Sequence, residues 1–448
     1  MTSGEVDRVV AGPSAGNVPS GGGLTRTGTN LGRVGGYNRA VILDAIRRQD
    51  GISRVELAEQ TGLTSQTVSN IVRKLLDDGL VTEIGRAPSR GGKPRTALRV
   101  RPEAYYSIGV HLDPDVTVTV LVDLAGQILA RRRRPSPGSG DPARLVRVVA
   151  RGVDALIESA GIDRARLLGL GVAVPGPIDV SLGMVVEPPN LANWHQVALR
   201  DAFAAAVGLP VVVDNDATAA AIGERWAGGA ERAGSFLFVY LGAGVGGGIV
   251  EADQVLRGDT GNAGEFGHII VEPDGLPCRC GSAGCLEAYC SPAALLNDLV
   301  LRHGRRSAQR LGLSLRTDRV RADCARLCRA ARTGDTAARE VVMRCAGRIA
   351  QAALSAVNLL DVSRIVLGGD AFAPAFDLLR DEIDRRVNSA SIARRVRTVA
   401  VEASLLGADT GAIGAATVVL HGRYAPGWSL LRARSRASLA AVGQDEGL

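Results

Sequence analysis

The sequence predicts a mixed α/β protein with a small helical domain at its N-terminus. Its 448 residues exceed one ordinary compact domain, and hydrophobic residues make up 46% of them, which is enough to bury a substantial core. From about residue 105 onward, apolar strand-like runs alternate with Ala- and Leu-rich helical stretches, as in mixed α/β domains. The strand-like runs are Ser107–Val110, Val116–Asp123, Leu168–Val174, Val211–Asp214, Ser235–Leu241 and Arg364–Leu367.

Composition and periodicity divide the chain into four segments. Residues 1–36 are rich in Gly, Ser, Thr and Pro, and we predict a disordered leader. Residues 37–102 are predicted to form the N-terminal domain and residues 103–423 the α/β domain. Residues 424–448 are rich in Arg, Ser and Ala and are predicted to be a flexible tail.

The formal net charge of +7 is compatible with a polyanionic partner. Arg131–Arg134, followed by Pro-Ser-Pro-Gly, is a candidate nucleic-acid contact, but such a charge run is more often a solvated turn between a strand and a helix, and we interpret it so. Aromatic residues are 3% of the chain, which argues against a stacking platform for single-stranded nucleic acid.

The sequence also predicts a cytoplasmic protein without a membrane partner. It contains no run of about 18 apolar residues, and its N-terminus lacks the charged-then-apolar layout of a signal peptide. Seven cysteines are present, and four of them lie within residues 278–290. This crowding favours a metal site over a disulfide framework.

Three short helices can be placed in the N-terminal domain from local chemistry. The first covers Asn38–Arg48. The second opens with the capping box Ser53-x-x-Glu56, in which each side chain bonds to the free backbone donor of the other residue, and it ends at Gly62. Thr64 then caps a third helix.

The third helix is amphipathic and leaves one face free. Its apolar residues, spaced i, i+3, i+4, i+7 and i+8, are Val68, Ile71, Val72, Leu75 and Leu76. The opposite face carries polar and cationic side chains that can reach base edges and phosphates of double-stranded DNA, with its N-terminal residues reading the bases. The predicted DNA contacts on this face are Ser65, Gln66, Thr67, Asn70, Arg73 and Lys74.

Two strands follow, near Leu80–Ile84 and Thr96–Val100, and the loop between them is rich in glycine. Residues 85–101 contain six basic side chains and no acidic one, which suits a minor groove or a phosphate backbone. Together with the three helices, this wing predicts a winged helix-turn-helix. A three-helix protein-interaction module with a solvated basic loop is the alternative. The predicted wing contacts are Arg86, Arg90, Lys93 and Arg95.

Residues 268–285 offer one imidazole and three thiols within a short, glycine-containing stretch. Cys278-x-Cys280-x4-Cys285 puts three sulfurs on one loop, and His268 precedes them. Because zinc takes four N or S ligands tetrahedrally, the segment predicts a Zn²⁺ site, and one filled entirely by protein ligands is structural rather than catalytic. A set of free thiols in a loop is the alternative.

Other cysteines, and two carboxylates near the thiol loop, are not predicted to be zinc ligands. Cys290 lies outside the ligand spacing, and Cys324 and Cys328, four apart on a predicted helix, are expected to be small buried residues. Glu265 and Glu287 flank the thiol loop, so a bound zinc would fix their positions.

Four stretches of the α/β domain share the pattern of one known family. They are Glu265-Phe-Gly-His268 with the thiol loop and Glu287, Gly171-Val-Ala-Val-Pro-Gly-Pro177, Asp214-Asn215-Asp216-Ala217 and Leu241-Gly-Ala-Gly-Val-Gly-Gly-Gly248. Together they resemble the ROK family (repressors, open reading frames and sugar kinases) over roughly residues 105–420. With the preceding winged helix, the layout resembles the regulators of that family.

The resemblance implies an actin-like ATPase (ribonuclease H-like) fold with two α/β lobes around a sugar cleft. In family members, sugar hydroxyls are held by residues matching Asn215, Asp216, Glu265, His268 and Glu287. Carboxylates and amides suit this task because they accept or exchange hydrogen bonds with hydroxyls. The residue matching Asp216 is the general base of the kinases. A surface ion pair is the simpler interpretation of any one carboxylate taken alone.

The first phosphate loop of the family's kinases is usually Asp-x-Gly-Gly-Thr, and here the aligned stretch is His111-Leu-Asp-Pro-Asp115. The opening Asp and both glycines are lost, Pro114 lacks a backbone donor, and Asp115 adds negative charge where phosphate oxygens would lie. We therefore expect no enzyme activity, with Asp216 as a hydrogen-bond acceptor. The loop 242–248 keeps its glycines, either for phosphate or because its hairpin needs positive φ angles.

These observations predict a DNA-binding transcriptional regulator, in the simplest case a repressor of carbohydrate metabolism genes, controlled by a bound sugar or sugar phosphate. Helix-turn-helix proteins usually read two half-sites as dimers, so we expect a homodimer or homotetramer on a double-stranded DNA operator. An ATP-dependent, glucokinase-like sugar kinase with an appended DNA-binding domain is the alternative.

Overall fold

The computed structural model describes residues 31–87, 95–136, 140–188, 191 and 194–426. They form an N-terminal domain of three helices and a small sheet, followed by two α/β lobes. No helix within these residues is both long and apolar enough to cross a membrane.

Local capping sets the helix boundaries of the N-terminal domain. Its elements are α1 (Leu31–Arg48), β1 (Ile52–Ser53), α2 (Arg54–Thr61), α3 (Ser65–Asp77), β2 (Val81–Ala87) and β3 (Arg95–Val100). The predicted capping box is confirmed, because the Ser53 side chain accepts from the Glu56 backbone and Glu56 accepts from the Ser53 backbone at 2.8 Å. Gly62 ends α2 with a left-handed φ of 67°, and the Thr64 side chain caps α3.

The apolar face of α3 is buried as predicted. Val68, Val72 and Leu75 are fully buried and share one core cluster with Ile42 and Ile46 of α1. The strands pair antiparallel in the order β1-β3-β2. The domain is therefore a helical triad closed by a hairpin, the architecture of a winged helix-turn-helix.

Helix α1 begins at Leu31, inside the segment 1–36 that the sequence predicted to be a leader. Gly35 and Gly36 argue against a helix in this segment of the sequence, because each glycine in a helix interior costs about 1 kcal/mol relative to alanine. A helix already formed from Tyr37 onward extends through them without a new nucleation step, and each added residue gains one hydrogen bond.

The first lobe is a five-stranded mixed sheet with helices on both faces. Its elements are β4 (Tyr106–Leu112), β5 (Val116–Asp123), β6 (Ile128–Pro135), α4 (Pro142–Ala160), β7 (Leu167–Val174), β8 (Ile178–Asp179), β9 (Met184–Val185), α5 (Leu199–Val207), β10 (Val211–Asn215) and α6 (Asp216–Ala227). The strand order is β10-β7-β4-β5-β6, with β4, β5 and β6 antiparallel and β4, β7 and β10 parallel.

The second lobe repeats this topology. Its elements are β11 (Phe236–Leu241), β12 (Val245–Glu251), β13 (Gln254–Val255), α7 (Leu286–Cys290), α8 (Pro292–Arg310), α9 (Val320–Arg332), α10 (Thr336–Leu360), β14 (Arg364–Gly368), α11 (Phe376–Ala390) and β15 (Ala400–Ala403). The chain then returns as α12 (Thr410–Tyr424), which packs on the sheet of the first lobe. The order β13-β12-β11-β14-β15 again joins three antiparallel strands to two parallel ones. This duplicated pattern is the two-lobe fold expected from the sequence.

Arg131–Arg134 lies in the edge strand β6, so its prediction as a turn is wrong. The strand pairs with β5 along its length, with Arg133 opposite Val118. No apolar alternation marks the segment, because β6 is an edge strand whose side chains are exposed or half-buried. Its backbone hydrogen bonds come from β5, the preceding strand of the same hairpin.

Helices α6 and α12 cross at small residues between the lobes. A Cβ added to Gly223 would lie 2.9 Å from the Gly414 Cα, and one added to Gly414 would lie 2.4 Å from the Ala219 carbonyl oxygen. The two helices therefore approach backbone to backbone. Any displacement of α6 has to be accommodated at this crossing.

A buried polar cluster, which we call the junction, connects the N-terminal domain to α6 and to the β12–β13 turn. It comprises Asp44, Arg47, Arg225, Trp226 and Asp253. Arg225 lies 3.2 Å from Asp44 and 2.7 Å from Asp253, and Arg47 donates to the Trp226 carbonyl. Burial opposes ionisation of Asp44, but Arg47 and Arg225 outweigh it and hold its pKa below the usual range.

Candidate functional site

The five side chains predicted to hold a sugar line one cavity between the lobes. They are Asn215, Asp216, Glu265, His268 and Glu287. They come from the β10–α6 connection, the segment after β13 and the first turn of α7. The fold thus brings together residues that lie up to 72 positions apart in the sequence.

Asn215 and Asp216 stand at the start of α6. The Asn215 Oδ1 accepts from the backbone of Ala217 (2.9 Å) and Thr218 (3.2 Å), so it caps the helix and its Nδ2 is left for other partners. A Cβ added to Gly176 would lie 3.1 Å from that Nδ2, so glycine keeps the amide accessible. The positive end of the helix dipole favours a carboxylate at Asp216.

The two glutamates differ in how firmly they are held. Glu287 Oε2 accepts from the Val245 backbone at 3.0 Å. Glu265 has 46% of its side chain exposed and lies 3.9 Å from His268 Nε2. Burial raises the pKa of Glu265, and Asp216 and Glu287 add to this effect while His268 opposes it.

His268, Cys278, Cys280 and Cys285 form a cluster that can hold a metal ion. One ligand atom from each lies within 4.8 Å of the others. The Cys280 and Cys285 sulfurs are 3.7 Å apart, and two sulfurs bound at about 2.3 Å to one tetrahedral ion are separated by about 3.8 Å. The donor set and its spacing fit a tetrahedral cation.

The imidazole of His268 connects this cluster to the cleft. Its Nδ1 lies 3.7 Å from Cys278 Sγ, and its Nε2 faces Glu265. Burial, together with the neighbouring sulfurs, raises the pKa of Cys285 to about 12. Cys290 is apart from the cluster, where its thiol contacts the Cys345 carbonyl at 3.6 Å.

Cys324 and Cys328 are fully buried in the core of the second lobe, as expected.

An ion-pair cluster fills the turn after β4, where the resemblance places a phosphate loop. We call it the Arg321 cluster. Arg321 forms ion pairs with Asp113 and Asp370, and its Nε lies 3.6 Å from Asp115. Arg133 adds a second contact to Asp370 at 2.8 Å. Two guanidiniums, from α9 and β6, therefore offset most of the negative charge of the three carboxylates, and Arg321 of α9 ties the two lobes together.

His111 occupies the place of the missing opening Asp and packs toward the cleft. It is 6% exposed, and its Nε2 lies 3.4 Å from the Tyr240 hydroxyl and 3.9 Å from Asp216 Oδ2. The imidazole thus lies between the turn after β4 and the cleft carboxylate of Asp216.

In the N-terminal domain, the polar face of α3 is turned away from the core. Of the predicted contacts, Thr67 is half-buried and the others are exposed. Asn70 Oδ1 accepts from Gln66 at 3.4 Å and from Arg73 at 3.2 Å, so these three side chains form a polar strip along the helix. The exposed contacts are Ser65, Gln66, Asn70, Arg73 and Lys74.

The described part of the wing consists of the ends of β2 and β3. Arg86 pairs with Thr96 through the backbone, and Arg95 is exposed at the start of β3. Arg90 and Lys93 lie outside the described residues.

Comparison with known proteins identifies both parts of the chain. Residues 107–421 match the ROK family, and residues 40–82 match the winged helix-turn-helix DNA-binding family. The chain belongs to the ROK family.

Relatives of this ROK protein include repressors and kinases. It is 32% identical over 272 residues to the xylose repressor of Bacillus subtilis (strain 168), covering 61% of this chain and 70% of that protein. It is 29% identical over 379 residues to the DNA-binding transcriptional dual regulator NagC of Escherichia coli (strain K12), covering 83% and 89%. A ROK family glucokinase from Streptomyces griseus, solved with glucose and AMPPNP, has a TM-score of 0.61 and 31% identity over 70% of this chain and 98% of its own.

The glycines at 242–248 of the ROK domain serve close packing. None of them has a positive φ, so the interpretation that the hairpin needs such angles is wrong. A Cβ on Gly246 would lie 2.8 Å from the Ala217 Cβ, and one on Gly247 would lie 2.6 Å from the Phe266 Cβ. Glycine lets β12 pack directly against α6 and the segment after Glu265.

Arg321 and Asp370 are the site residues of the ROK domain that sequence reasoning missed. The ion pair between Arg321 and Asp113 joins residues 208 positions apart, which no local pattern indicates. The available signal was indirect. Two carboxylates lie close together in one turn, and the buried one, Asp113, requires a cation from elsewhere in the fold.

Proposed function

We propose that this ROK protein is a transcriptional regulator of carbohydrate metabolism genes, a repressor in the simplest case, whose ROK domain senses a sugar or sugar derivative. The observation that carries the proposal is the position of α6. Its first residue, Asp216, lies in the cleft, and Arg225 near its other end pairs with Asp44 of the N-terminal domain. This helix of 12 residues, about 18 Å long, links the two as one rigid element.

A ligand controls DNA binding only if it favours one arrangement of the molecule over another. A sugar that pulls on Asn215 or Asp216 displaces α6, and the junction transmits the displacement to α1. The small residues at the α6–α12 crossing support a discrete shift, since packed backbones do not deform gradually.

DNA recognition is assigned to α3 and the wing. Gln66, Thr67 and Asn70 lie on the N-terminal half of α3 and are proposed to contact base edges, with Ser65 beside them. Cationic side chains are proposed to contact phosphates. These are Arg73, Lys74, Arg86, Arg90, Lys93 and Arg95.

The sugar is proposed to be held by Asn215, Asp216, Glu265, His268 and Glu287. Ionised carboxylates accept hydrogen bonds from hydroxyls, and Asn215 Nδ2 donates to one. The xylose in the name of the Bacillus subtilis repressor supports a sugar as the ligand class.

We assign a structural Zn²⁺ to His268, Cys278, Cys280 and Cys285. A cation bound there would hold the thiol loop and fix the His268 ring, so that Nε2 keeps its orientation toward Glu265. All four positions are supplied by the protein, which supports a structural role.

We infer that the domain does not phosphorylate its sugar. The Arg321 cluster occupies the first phosphate loop, and Pro114 offers no backbone donor there. Asp216 is therefore proposed to accept a hydrogen bond from the sugar and not to act as a general base.

The assembly is proposed to be a homodimer or homotetramer that reads two DNA half-sites, with the DNA-binding domain at residues 37–102 and the sensor at residues 103–423. Light scattering on the full chain tests it. A monomeric protein on DNA that protects a single half-site would contradict it.

The alternative is an ATP-dependent sugar kinase with an appended DNA-binding domain, which the likeness to the Streptomyces griseus glucokinase favours. Calorimetric titration of the full chain with xylose, glucose, N-acetylglucosamine and their phosphates, followed by ADP measurement with ATP and Mg²⁺ in the same samples, separates the two. We expect sugar binding without ADP above background. Sugar-dependent ADP formation would establish the kinase.

A further inference from the structure

A cavity of about 660 Å³ lies on the first lobe between α4 and the β5–β6 hairpin, away from the sugar cleft. We call it the α4 cavity. Its volume falls within the about 300–1,000 Å³ typical of small-molecule sites. Its lining includes Thr117, Thr119, Arg132, Arg134, Arg151 and Gly152, and no carboxylate.

The alternation of β6 separates its arginines into two pairs. On one face, Arg131 binds Asp409 at 2.7 Å and Arg133 binds Asp370 at 2.8 Å. The other face carries Arg132 and Arg134, which line the α4 cavity.

Arg151 of α4 adds a third guanidinium to the α4 cavity. Among the described residues, no carboxylate lies within ion-pair distance of Arg132, Arg134 or Arg151, although the paired arginines of β6 show that the strand readily obtains partners. Arg132 is half-buried and donates to the Gly152 carbonyl at 3.5 Å, whereas Arg134 and Arg151 are exposed, so solvent screens part of their mutual repulsion. An anion in the α4 cavity would offset the repulsion that is left.

Neutral groups shape the remaining wall of the α4 cavity, and many of them are apolar, such as Val148 and Val149 of α4. The register places Thr117 opposite Arg134 and Thr119 opposite Arg132, so hydroxyls and guanidiniums share one face of the sheet. Both threonines are buried, at 7% and 5% exposure. On the helix, Gly152 faces Arg132, and an added Cβ would still be 4.0 Å from it. This glycine costs α4 about 1 kcal/mol relative to alanine and keeps the cavity open.

We propose that the α4 cavity binds a phosphorylated small molecule, separately from the sugar cleft. Guanidinium groups bind phosphate through paired N–H donors, and hydroxyls supply further donors. Three guanidiniums favour a doubly charged phosphate over a singly charged carboxylate as the ligand. The volume accommodates a sugar-sized body beyond the phosphate, whereas buried hydroxyls at the cavity floor are out of reach for a DNA backbone.

The test is calorimetric titration of the full chain with inorganic phosphate, glucose and glucose 6-phosphate. For glucose 6-phosphate we expect Arg134→Ala/Arg151→Ala to lose about tenfold or more in affinity. Arg144→Ala/Arg147→Ala, which removes the same charge from exposed positions of α4, should stay within about twofold of the parent protein. The cleft variant Asp216→Asn/Glu265→Gln should also retain binding, which separates this site from the proposed sensor site.

A second variant keeps every charge and fills the space. Gly152→Leu should abolish glucose 6-phosphate binding while improving helix propensity, so a loss through misfolding is excluded by an unchanged or raised melting temperature. Absence of phosphate binding in the parent protein, equal losses in the control arginine variant, or loss only in the cleft variant would overturn the proposal. Weaker DNA binding with unaltered phosphate binding in Arg134→Ala/Arg151→Ala would make the arginines a nucleic-acid surface instead.

Discussion

The two sides of the cleft between the lobes contain similar chemical groups in opposite states. On the side of the proposed sugar site, which we call the sugar side, Asn215, Asp216 and Glu265 line a cavity, and no guanidinium of the described residues lies within ion-pair distance of Glu265. On the other side, where the resemblance to the kinases places the first phosphate loop and which we call the nucleotide side, Arg321 forms ion pairs with Asp113 and Asp370. If the proposed function is right, the contrast teaches that a kinase-like fold can keep the groups that recognise a sugar while an internal ion pair takes the place of the groups that hold ATP.

The largest expected effect comes from removing the metal that we assign to the thiol cluster. Chelation, or Cys280→Ser, should release the loop that carries His268, lower the melting temperature of the ROK domain and weaken sugar binding by about tenfold or more. DNA affinity of the N-terminal domain should change little. Metal analysis, calorimetry and thermal unfolding measure this, with Zn²⁺ re-addition as the control. Unchanged sugar affinity after chelation would contradict the proposal that the metal fixes the position of His268.

Next in size is the loss of the Arg321 cluster. Arg321→Met should destabilise the protein by about 3 kcal/mol, because Asp113 is only 3% exposed and would be left without a counter-charge. Arg316→Met is the matched control, since its ion pair with Asp318 is exposed to solvent. Denaturant unfolding measures both. If Arg321→Met and Arg316→Met were equally stable, the Arg321 cluster would not be what holds the two lobes together on this side.

Replacing a carboxylate on the sugar side should weaken sugar binding more than it lowers the stability of the protein. Asp216→Ala should weaken sugar binding by about tenfold to a hundredfold, the cost of a lost hydrogen bond to a charged group. Asp370→Ala on the nucleotide side should leave sugar affinity close to that of the parent protein. Calorimetry with the tightest-binding sugar decides this. If Asp370→Ala caused the larger loss of affinity, the division between the two sides would be wrong.

The smallest expected effect is on communication. Asp44→Asn/Arg225→Gln keeps the junction neutral and should reduce the effect of sugar on DNA affinity by about fivefold or more, while each ligand still binds alone. Arg39→Ala, which removes an exposed ion pair to Asp78 within the N-terminal domain, is the control. Fluorescence anisotropy with and without sugar reads out the coupling. If sugar changed DNA affinity as much in the double variant as in the parent protein, the coupling would not pass through the junction.

The features predictable from sequence were those with a local cause. Ser53 and Glu56 are three residues apart, so their capping box can be read directly from the sequence. The close spacing of Cys278, Cys280 and Cys285 likewise indicated that their sulfurs lie together. The cleft residues became recognisable only through the family motifs around Asn215 and Glu265.

Features that depend on tertiary pairing were missed. Arg131–Arg134 forms a strand because β5 supplies the hydrogen bonds, and the segment itself has no strand-like alternation. Arg321 reaches Asp113 from a different lobe, and Asp44 meets Arg225 across a domain boundary. The contacts of Arg321 and Asp44 join distant parts of the chain, and β6 depends on its pairing with the neighbouring strand β5. Neither spacing nor propensity encodes these contacts.

The central claim is that a sugar in the ROK domain changes how the N-terminal domain binds DNA. The most direct measurement is the affinity of the full chain for a DNA duplex selected from a random pool, with and without a saturating sugar identified by calorimetry. We predict a change of about fivefold or more, with no ADP formed when ATP and Mg²⁺ are present. Identical DNA affinities in the presence and absence of a demonstrably bound sugar would contradict the account.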